Sequence, residues 1–232
     1  MLQAITIVLP TRNEAVNIPD FLGSLPPSVP LVVVDASDDE TPALIQSLRP
    51  HNTTVVRHPG NVTQARQLGA ETAVTPWLLF TDADVAFHPR YFDRVAAYAR
   101  HDAIYGPKRS RGEYGRYYHW FSRGQQLIHQ LGIPAASGSN LLVRREVFHQ
   151  IGGFDLDLSV NEDSEIAWRI KRRGYDIAFA PDLPVYEFDH RRLRNGRLRK
   201  TAHSLIRCAL LFTGLMPQKW RQHDWGYWAN AR

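Results

Sequence analysis

Residues 78–87 read LLFTDADVAF, an apolar run that ends in two aspartates one residue apart. The run predicts a buried β-strand, and alternate residues of an extended chain point to the same side. Asp82 and Asp84 can therefore face a common target, with the small Ala83 turned away. Two carboxylates this close repel each other unless a cation lies between them, so the pair is a candidate metal site. The alternative is a surface turn, because Asp is common where strands end.

Strand-like runs recur through the first half of the chain, separated by stretches that suit helices. The runs are rich in Val, Ile and Leu and lack polar alternation, which indicates a sheet covered on both faces. The predicted strands are residues 4–9, 31–35, 53–57 and 77–81, and the predicted helices are residues 14–25, 39–48 and 62–74. Their alternation predicts an α/β domain with a mostly parallel central sheet, helices on both faces and right-handed crossovers.

The second half has a mixed order of elements. The predicted strands there are residues 103–106, 140–144 and 176–180, and the predicted helices are residues 122–131, 145–151 and 163–175. Gly174 is expected to end the last of these helices. No repeat or linker interrupts the chain, so we expect one domain over residues 1–190 and a C-terminal extension over residues 191–232.

Polar clusters follow three of the predicted strands. PTRNE follows the first, DASDD ends the second, and the two aspartates follow the fourth. A parallel sheet binds ligands beyond the carboxyl ends of its strands, so the three clusters should share one edge. Carboxylate oxygens at such an edge favour Mg²⁺ or Mn²⁺.

Composition and missing motifs exclude other classes of protein. The chain lacks the phosphate-binding loop G-x-x-x-x-G-K-[ST], and no G-x-G-x-x-G follows the first strand. A single cysteine excludes an internal disulfide and a cysteine-rich metal site, which favours a reducing compartment. The formal net charge of +5 is mild and no nucleic-acid-binding module is recognised, so we expect no nucleic-acid partner. No signal peptide is visible, and we expect a cytoplasmic protein.

Six segments together resemble a known family. In order they read VLPTRNEAVNI, VVVDASDDET, GNVTQARQLGAETA, FTDADV, SGSNLLVRREVFHQIGGFD and NEDSEIAWRIKRRGY. From about Ile5 to His190 the chain resembles the family-2 nucleotide-sugar glycosyltransferases, whose A-type fold (GT-A) is Rossmann-like. The resemblance implies metal-dependent, inverting transfer of a hexosyl or N-acetylhexosaminyl group from a nucleotide sugar, with UDP as the expected nucleotide, to a hydroxyl acceptor. It also implies a nucleotide-binding half over about residues 1–100 and an acceptor half over about residues 101–190.

The resemblance also implies roles on the donor side. It places the nucleoside against the loop after the first strand, uracil against Asp35, and the donor diphosphate against Arg66 and the metal. Asp35 could instead cap a turn, and Arg66 could instead lie on a solvated helix face. The expected donor contacts are Pro10, Thr11, Arg12, Glu14, Asp35, Arg66, Asp82 and Ala83, and the expected ligands of Mn²⁺ or Mg²⁺ are Asp82, Asp84 and His190.

On the acceptor side, the resemblance points to Gly138, Ser139 and Asn140, although relatives often have two glycines before the asparagine. It assigns the catalytic pair to Glu162 and Asp163, with Asp163 as the base. The alternative is that both carboxylates only stabilise the first turn of a helix.

The C-terminal extension carries seven Lys or Arg over residues 191–207, an apolar segment over residues 204–216, and tryptophans at 220, 225 and 228. One interpretation is a helix packed on the domain. The other is an interfacial element on the inner face of the membrane, which would suit a lipid-linked acceptor. For the whole protein, the alternative to an enzyme is a catalytically silent member of the fold that binds a nucleotide sugar or a partner.

Overall fold

The computed structural model describes residues 2–110, 112–189 and 197–222. Seven strands in this part of the chain form a central sheet, in the order β3-β2-β1-β4-β8-β6-β9, and three form a small sheet in the order β5-β10-β7. The strands are β1 Ile5–Thr11, β2 Leu31–Asp35, β3 Thr53–Arg57, β4 Trp77–Phe80, β5 Val85–Phe87, β6 Ala103–Tyr105, β7 Lys108–Ser110, β8 Leu141–Arg144, β9 Ile177–Phe179 and β10 Val185–Glu187.

The helices lie between these strands and after them. They are α1 Ile18–Gly23, α2 Thr41–Leu48, α3 Val62–Thr72, α4 Tyr91–Arg94, α5 Gly115–Gln130, α6 Arg145–Gln150, α7 Glu162–Arg172, α8 Arg197–Thr213 and α9 Gln218–Arg221, with short 3₁₀ turns at Leu2–Ala4 and Val95–Tyr98.

The central sheet confirms the predicted α/β fold. Its strands run parallel except β8, which is antiparallel to both β4 and β6. Apolar clusters cover both faces: one contains Phe21 of α1 and Ile45 of α2, and the other contains Ala70 of α3 and Ile166 of α7. The near-continuous apolar strands are thus buried on both sides, as their composition predicts.

Register sets the position of the polar edge. Thr11 at the end of β1 pairs with Asp35 at the end of β2, and Val8 pairs with Phe80 at the end of β4. The polar segments that follow these strands therefore meet beyond one edge of the sheet, as predicted.

Several element boundaries differ from the sequence prediction. The helix predicted over residues 14–25 is only Ile18–Gly23, because the chain first makes turns after Asn13, whose φ is 55°. The helix predicted from residue 122 begins two turns earlier, at Gly115. The strands of the small sheet, each three residues long, were not predicted, since three residues are too few to display a period.

The described part of the C-terminal extension packs on the domain. The indole of Trp168 on α7 lies 4.9 Å from the ring of Phe212 on α8 and donates a hydrogen bond to the Phe212 carbonyl. The buried Arg207 of α8 donates to Asn161 Oδ1 at 2.9 Å. These contacts agree with the packed-helix interpretation for residues 197–222. No helix in the described segments has the length and apolar character needed to cross a bilayer.

Candidate active site

Arg66 is the centre of the candidate site. It lies on the buried side of α3 and is 3% exposed. Its Nη2 contacts Asp82 Oδ1 at 2.6 Å, and its Nη1 contacts Glu162. Burial lowers the pKa of the guanidinium, but Asp82, Glu162 and Asp163 more than offset this effect and raise it overall. The arginine therefore joins the aspartate motif after β4 to the acidic pair that begins α7.

A glycine makes this arrangement possible. A Cβ at Gly138 would lie 2.3 Å from Arg66 Nη1, well inside van der Waals contact. The Gly138 N–H donates to Asp163 Oδ2 at 2.6 Å. The next residue, Ser139, donates its hydroxyl to Asp82 Oδ2. The segment before β8 thus contacts the guanidinium and two of the predicted site carboxylates.

The two acidic residues of α7 have different environments. Glu162 is 4% exposed, and burial raises its pKa to about 7 against the opposing effect of Arg66. Asp163 is only half-buried, and its other oxygen, Oδ1, accepts a hydrogen bond from the Ser164 N–H at 2.6 Å. Glu162 therefore faces the protein interior, whereas Asp163 is the member of the pair with access to an incoming group.

Asp35 is fully buried and hydrogen-bonded within the protein. Its Oδ1 accepts from Thr11 Oγ1 at 2.8 Å and from Ser37 Oγ at 2.6 Å, and its Oδ2 accepts from the Ser37 N–H and from Arg57. The Arg57 side chain is 60% exposed and has room to rotate away, but its departure would leave the buried Asp35 carboxylate to its hydrogen bonds from Thr11 and Ser37. A base N–H would have to replace this arginine to reach Asp35, and the contact with uracil stays a prediction.

The loop after β1 is fixed to the loop after β2. The Asn13 N–H donates to Ser37 Oγ at 2.9 Å, and the Asp38 N–H donates to Asn13 Oδ1 at 2.9 Å. Of the four predicted donor contacts here, Pro10 is half-buried, Thr11 is buried against Asp35, Arg12 is exposed, and Glu14 accepts a hydrogen bond from Asn17 Nδ2. Arg12 is thus the exposed residue among these four predicted contacts.

Asp82 and Asp84 would supply the oxygen donors of the predicted metal site. Asp84 is buried, and its carbonyl accepts from the Phe188 N–H beside β10. Ala83 points into the core, as the alternation predicts. Among the residues that the structure describes, no three His, Cys, Asp or Glu side chains are grouped to hold a metal, and His190 lies outside them. Two carboxylates alone nevertheless fit Mg²⁺ or Mn²⁺, which commonly complete their coordination with substrate phosphates and water.

A buried cluster beside Asp84 was not predicted. Glu187 of β10 accepts a hydrogen bond from Tyr118, and its Oε2 lies 2.9 Å from Lys108 Nζ. Burial, followed by the charges of Glu187 and Asp84, raises the pKa of Tyr118. Glu187 pairs in register with Val85, which brings it next to Asp84. Nothing in the sequence marks this cluster, because the strands that carry Lys108 and Glu187 are too short to show a pattern.

Asn140 lies behind the site. Its Oδ1 accepts from Tyr91 at 2.6 Å, and its Nδ2 donates to the Leu183 carbonyl at 2.8 Å. The side chain is 1% exposed. Its amide is therefore occupied in joining β8 to neighbouring segments. Gly138 and Ser139 are buried as well, with their donor groups on Asp163 and Asp82, so the acceptor contact stays a prediction for all three residues.

Solved structures share this fold. TarS of S. aureus (residues 1–349) is 19% identical, with a TM-score of 0.64 over 79% of this chain and 60% of TarS. The mannosyltransferase PcManGT of Pyrobaculum calidifontis, solved with GDP-Man and Mn²⁺, is 22% identical, with a TM-score of 0.67 over 85% of this chain and 60% of PcManGT. GalNAc-T7, solved with UDP, GalNAc and Mn²⁺, is 17% identical, with a TM-score of 0.63 over 81% of this chain and 44% of GalNAc-T7.

At these identities the likeness shows the GT-A fold, and the chain spans about 60% of the length of the first two structures. A search of curated proteins finds no match. The model of glycosyl transferase family 21 matches residues 116–219. The model of glycosyl transferase family 2 matches residues 6–152, more than half of the sequence. The chain belongs to glycosyl transferase family 2.

Proposed function

We propose that the protein is a metal-dependent, inverting glycosyltransferase that moves a sugar from a nucleotide-sugar donor to a hydroxyl acceptor. One observation carries the proposal: Arg66 holds Asp82 and Glu162 together, while Gly138 fixes Asp163 beside them. The candidate donor motif and the candidate base, which lie about eighty residues apart in the sequence, are therefore neighbours in the fold.

Asp163 acts as the base in this proposal. Its carboxylate accepts the proton of the acceptor hydroxyl as the acceptor oxygen bonds to the anomeric carbon. The bond from that carbon to the diphosphate oxygen breaks on the opposite face, so the configuration inverts and the nucleoside diphosphate leaves. The hydrogen bonds from Gly138 and Ser164 orient the carboxylate for this step. General-base catalysis of this kind contributes about 10²- to 10⁴-fold.

Asp82 and Asp84 would hold Mn²⁺ or Mg²⁺, with His190 as the proposed third ligand. When bound, the ion stabilises the negative charge that develops on the leaving diphosphate. Ser139 and Arg66 contribute by fixing the orientation of Asp82 before any ligand arrives.

UDP is the proposed nucleotide, because Asp35 can accept a hydrogen bond from uracil once Arg57 moves aside. TarS is also described in complex with UDP-GlcNAc, whereas PcManGT is described with GDP-Man. A panel of UDP- and GDP-linked sugars, scored by thermal shift with Mn²⁺, therefore tests the choice of nucleotide directly.

The acceptor is proposed to be a hydroxyl compound, with a lipid-linked acceptor as one form of this proposal. In that form, the protein works in the cytoplasm at the inner face of the membrane, and the extension contributes contacts with lipid. Leu205 and Ile206 of α8 are exposed and suit this role. Arg207 of the same helix donates a hydrogen bond to Asn161, directly before α7, and so keeps the helix on the domain.

Two measurements test the function. UDP affinity, measured by isothermal titration, should fall sharply when EDTA removes the metal, and equal affinity in both conditions would rule out the metal role. Asp163→Asn should abolish transfer but leave Mn²⁺-dependent UDP affinity within about threefold, less than 1 kcal/mol. The exposed Asp157 is the matched control, since Asp157→Asn should leave transfer unchanged. Transfer by Asp163→Asn within tenfold of wild type would remove Asp163 as the base.

A further inference from the structure

The helix α5 exposes several large apolar side chains and makes polar contacts at its two buried positions. Its buried residues are polar: Tyr118 donates to Glu187, and Gln125 donates to the Ala135 carbonyl. Its outward face carries large apolar side chains, with Trp120 67% exposed and Leu127 60% exposed. A helix on the surface of a soluble domain normally turns its apolar stripe to the core.

The exposed side chains form one continuous stripe. Arg116, Trp120, Arg123, Leu127 and Leu131 follow one another at intervals of three or four residues, which places them on a single face of a helix. Leu131, directly after the last turn, is 72% exposed. Both arginines are exposed, and residues 115–130 contain no Asp or Glu. We call these five residues the α5 stripe.

We propose that the α5 stripe docks on an anionic lipid bilayer. Aromatic and aliphatic side chains at the headgroup boundary, with cations between them, are the features of an interfacial helix. The charge of the stripe complements acidic headgroups. A second copy of this chain fits less well, because a twofold contact through the same face would oppose arginines with no acidic residue of the helix to pair with them.

The position of α5 beside the candidate site suggests what docking would do, and this step rests on the proposed function. Seven residues after Leu131 the chain reaches Gly138, whose N–H holds Asp163. The Tyr105 hydroxyl accepts from the Ala135 N–H and contacts His129 of α5, so the connecting segment is fixed to the helix. Docking of α5 would therefore bring the acceptor side of the site to the membrane, where a lipid-borne hydroxyl can enter.

Vesicle sedimentation of the full chain, without donor, tests the proposal. The protein should bind vesicles of phosphatidylcholine with phosphatidylglycerol, and not vesicles of phosphatidylcholine alone. Trp120→Ser with Leu127→Ser should weaken binding at least tenfold. Leu48→Ser with Val74→Ser, which removes exposed apolar side chains elsewhere, should not weaken it.

A second pair of variants isolates the charge. Arg116→Gln with Arg123→Gln should weaken binding about fivefold for each cation removed. The exposed Arg172 and Arg173 are the matched control, and replacing both by Gln should cost much less.

Three results would overturn the proposal. The first is that the wild type does not bind anionic vesicles, and the second is that the α5 variants bind them as well as the wild type does. The third is that light scattering shows a wild-type dimer that does not bind vesicles and that Trp120→Ser with Leu127→Ser converts to a monomer. Mn²⁺-dependent UDP affinity of the α5 variants should match the wild type. If the wild type binds none of the UDP- and GDP-linked sugars in the presence of Mn²⁺, the proposed function is refuted and the vesicle result still stands, so the two failures are distinguishable.

Discussion

Replacing Gly138 with alanine should damage both stability and catalysis. The added methyl would lie 2.3 Å from Arg66 Nη1 and 2.5 Å from Arg66 Cζ, so the guanidinium must move. An arginine on the surface would simply rotate away. This one is buried between Asp82 and Glu162, and moving it lengthens at least one charged hydrogen bond. A hydrogen bond to a charged group contributes about 1.5–3 kcal/mol.

Thermal unfolding in EDTA measures the effect of Gly138→Ala on stability. A domain of this size loses about 2–4 °C of Tm for each kcal/mol, so the variant should melt about 3–12 °C below the wild type. Catalysis should fall further than stability, because the Gly138 N–H also fixes Asp163, the proposed base.

Gly124, in the middle of α5, is the matched control. A Cβ there meets nothing within 4 Å. Gly124→Ala should therefore keep or raise Tm, since alanine stabilises a helix interior by about 0.5–1 kcal/mol relative to glycine. If Gly138→Ala has the Tm of the wild type and transfers sugar at the wild-type rate, then the Arg66 guanidinium can move aside without losing its ion pairs. That result would refute the central role of Gly138.

Two further predictions concern buried charged residues. Burial raises the pKa of Glu162 from 4.5 to about 7, so its protonated form stabilises the fold fully below about pH 4.5, and this stabilisation is lost as pH rises through about 7. In EDTA, the Tm of the wild type minus that of Glu162→Gln should therefore decrease as the pH is raised from about 5 to about 8. A difference in Tm that stays constant over this range would contradict the prediction. Arg207→Met should lower Tm by about 3–12 °C, because Asn161 and the Trp220 carbonyl lose a charged donor. The exposed Arg172→Met is the control, and an equal loss there would show that Arg207 has no special role.

The central sheet could be predicted from sequence because each of its first four strands carries a strong local signal. Residues 31–35, LVVVD, coincide with β2, and residues 53–57 coincide with β3. The small sheet could not be predicted. β7 reads KRS and β10 reads VYE, so neither has an apolar run, and each becomes a strand only because β10 pairs with both β5 and β7.

The sequence allows the residues of the candidate site to be predicted better than the contacts between them. Asp82 and Glu162 belong to recognisable motifs, and the structure brings them to the same arginine. Arg66 itself was expected to face a phosphate. That contact stays a prediction; in the structure Arg66 lies between two carboxylates, one of them 96 residues further along the chain, and no local pattern reports a partner so distant. The hydrogen bonds around Asp35 were missed for a similar reason, since Thr11 and Arg57 meet it only through strand register.

The shared arginine means that substitutions in the site will not act independently. Asp82 and Glu162 each contact the Arg66 guanidinium, and Gly138 leaves the space that it fills. Removing Glu162 leaves the guanidinium paired with Asp82 alone, whereas removing Arg66 leaves the buried Glu162 and the half-buried Asp82 without their shared cation. The second change is therefore the more costly, because like charges in a buried site repel each other and a buried charge without its partner is strongly destabilising. Residues that contact one another in this way show coupling of about 0.5–3 kcal/mol in double-mutant cycles. Removing one carboxylate together with Arg66 restores the balance of charge. The double variant should consequently lose less free energy of unfolding than the sum of the losses in the two single variants.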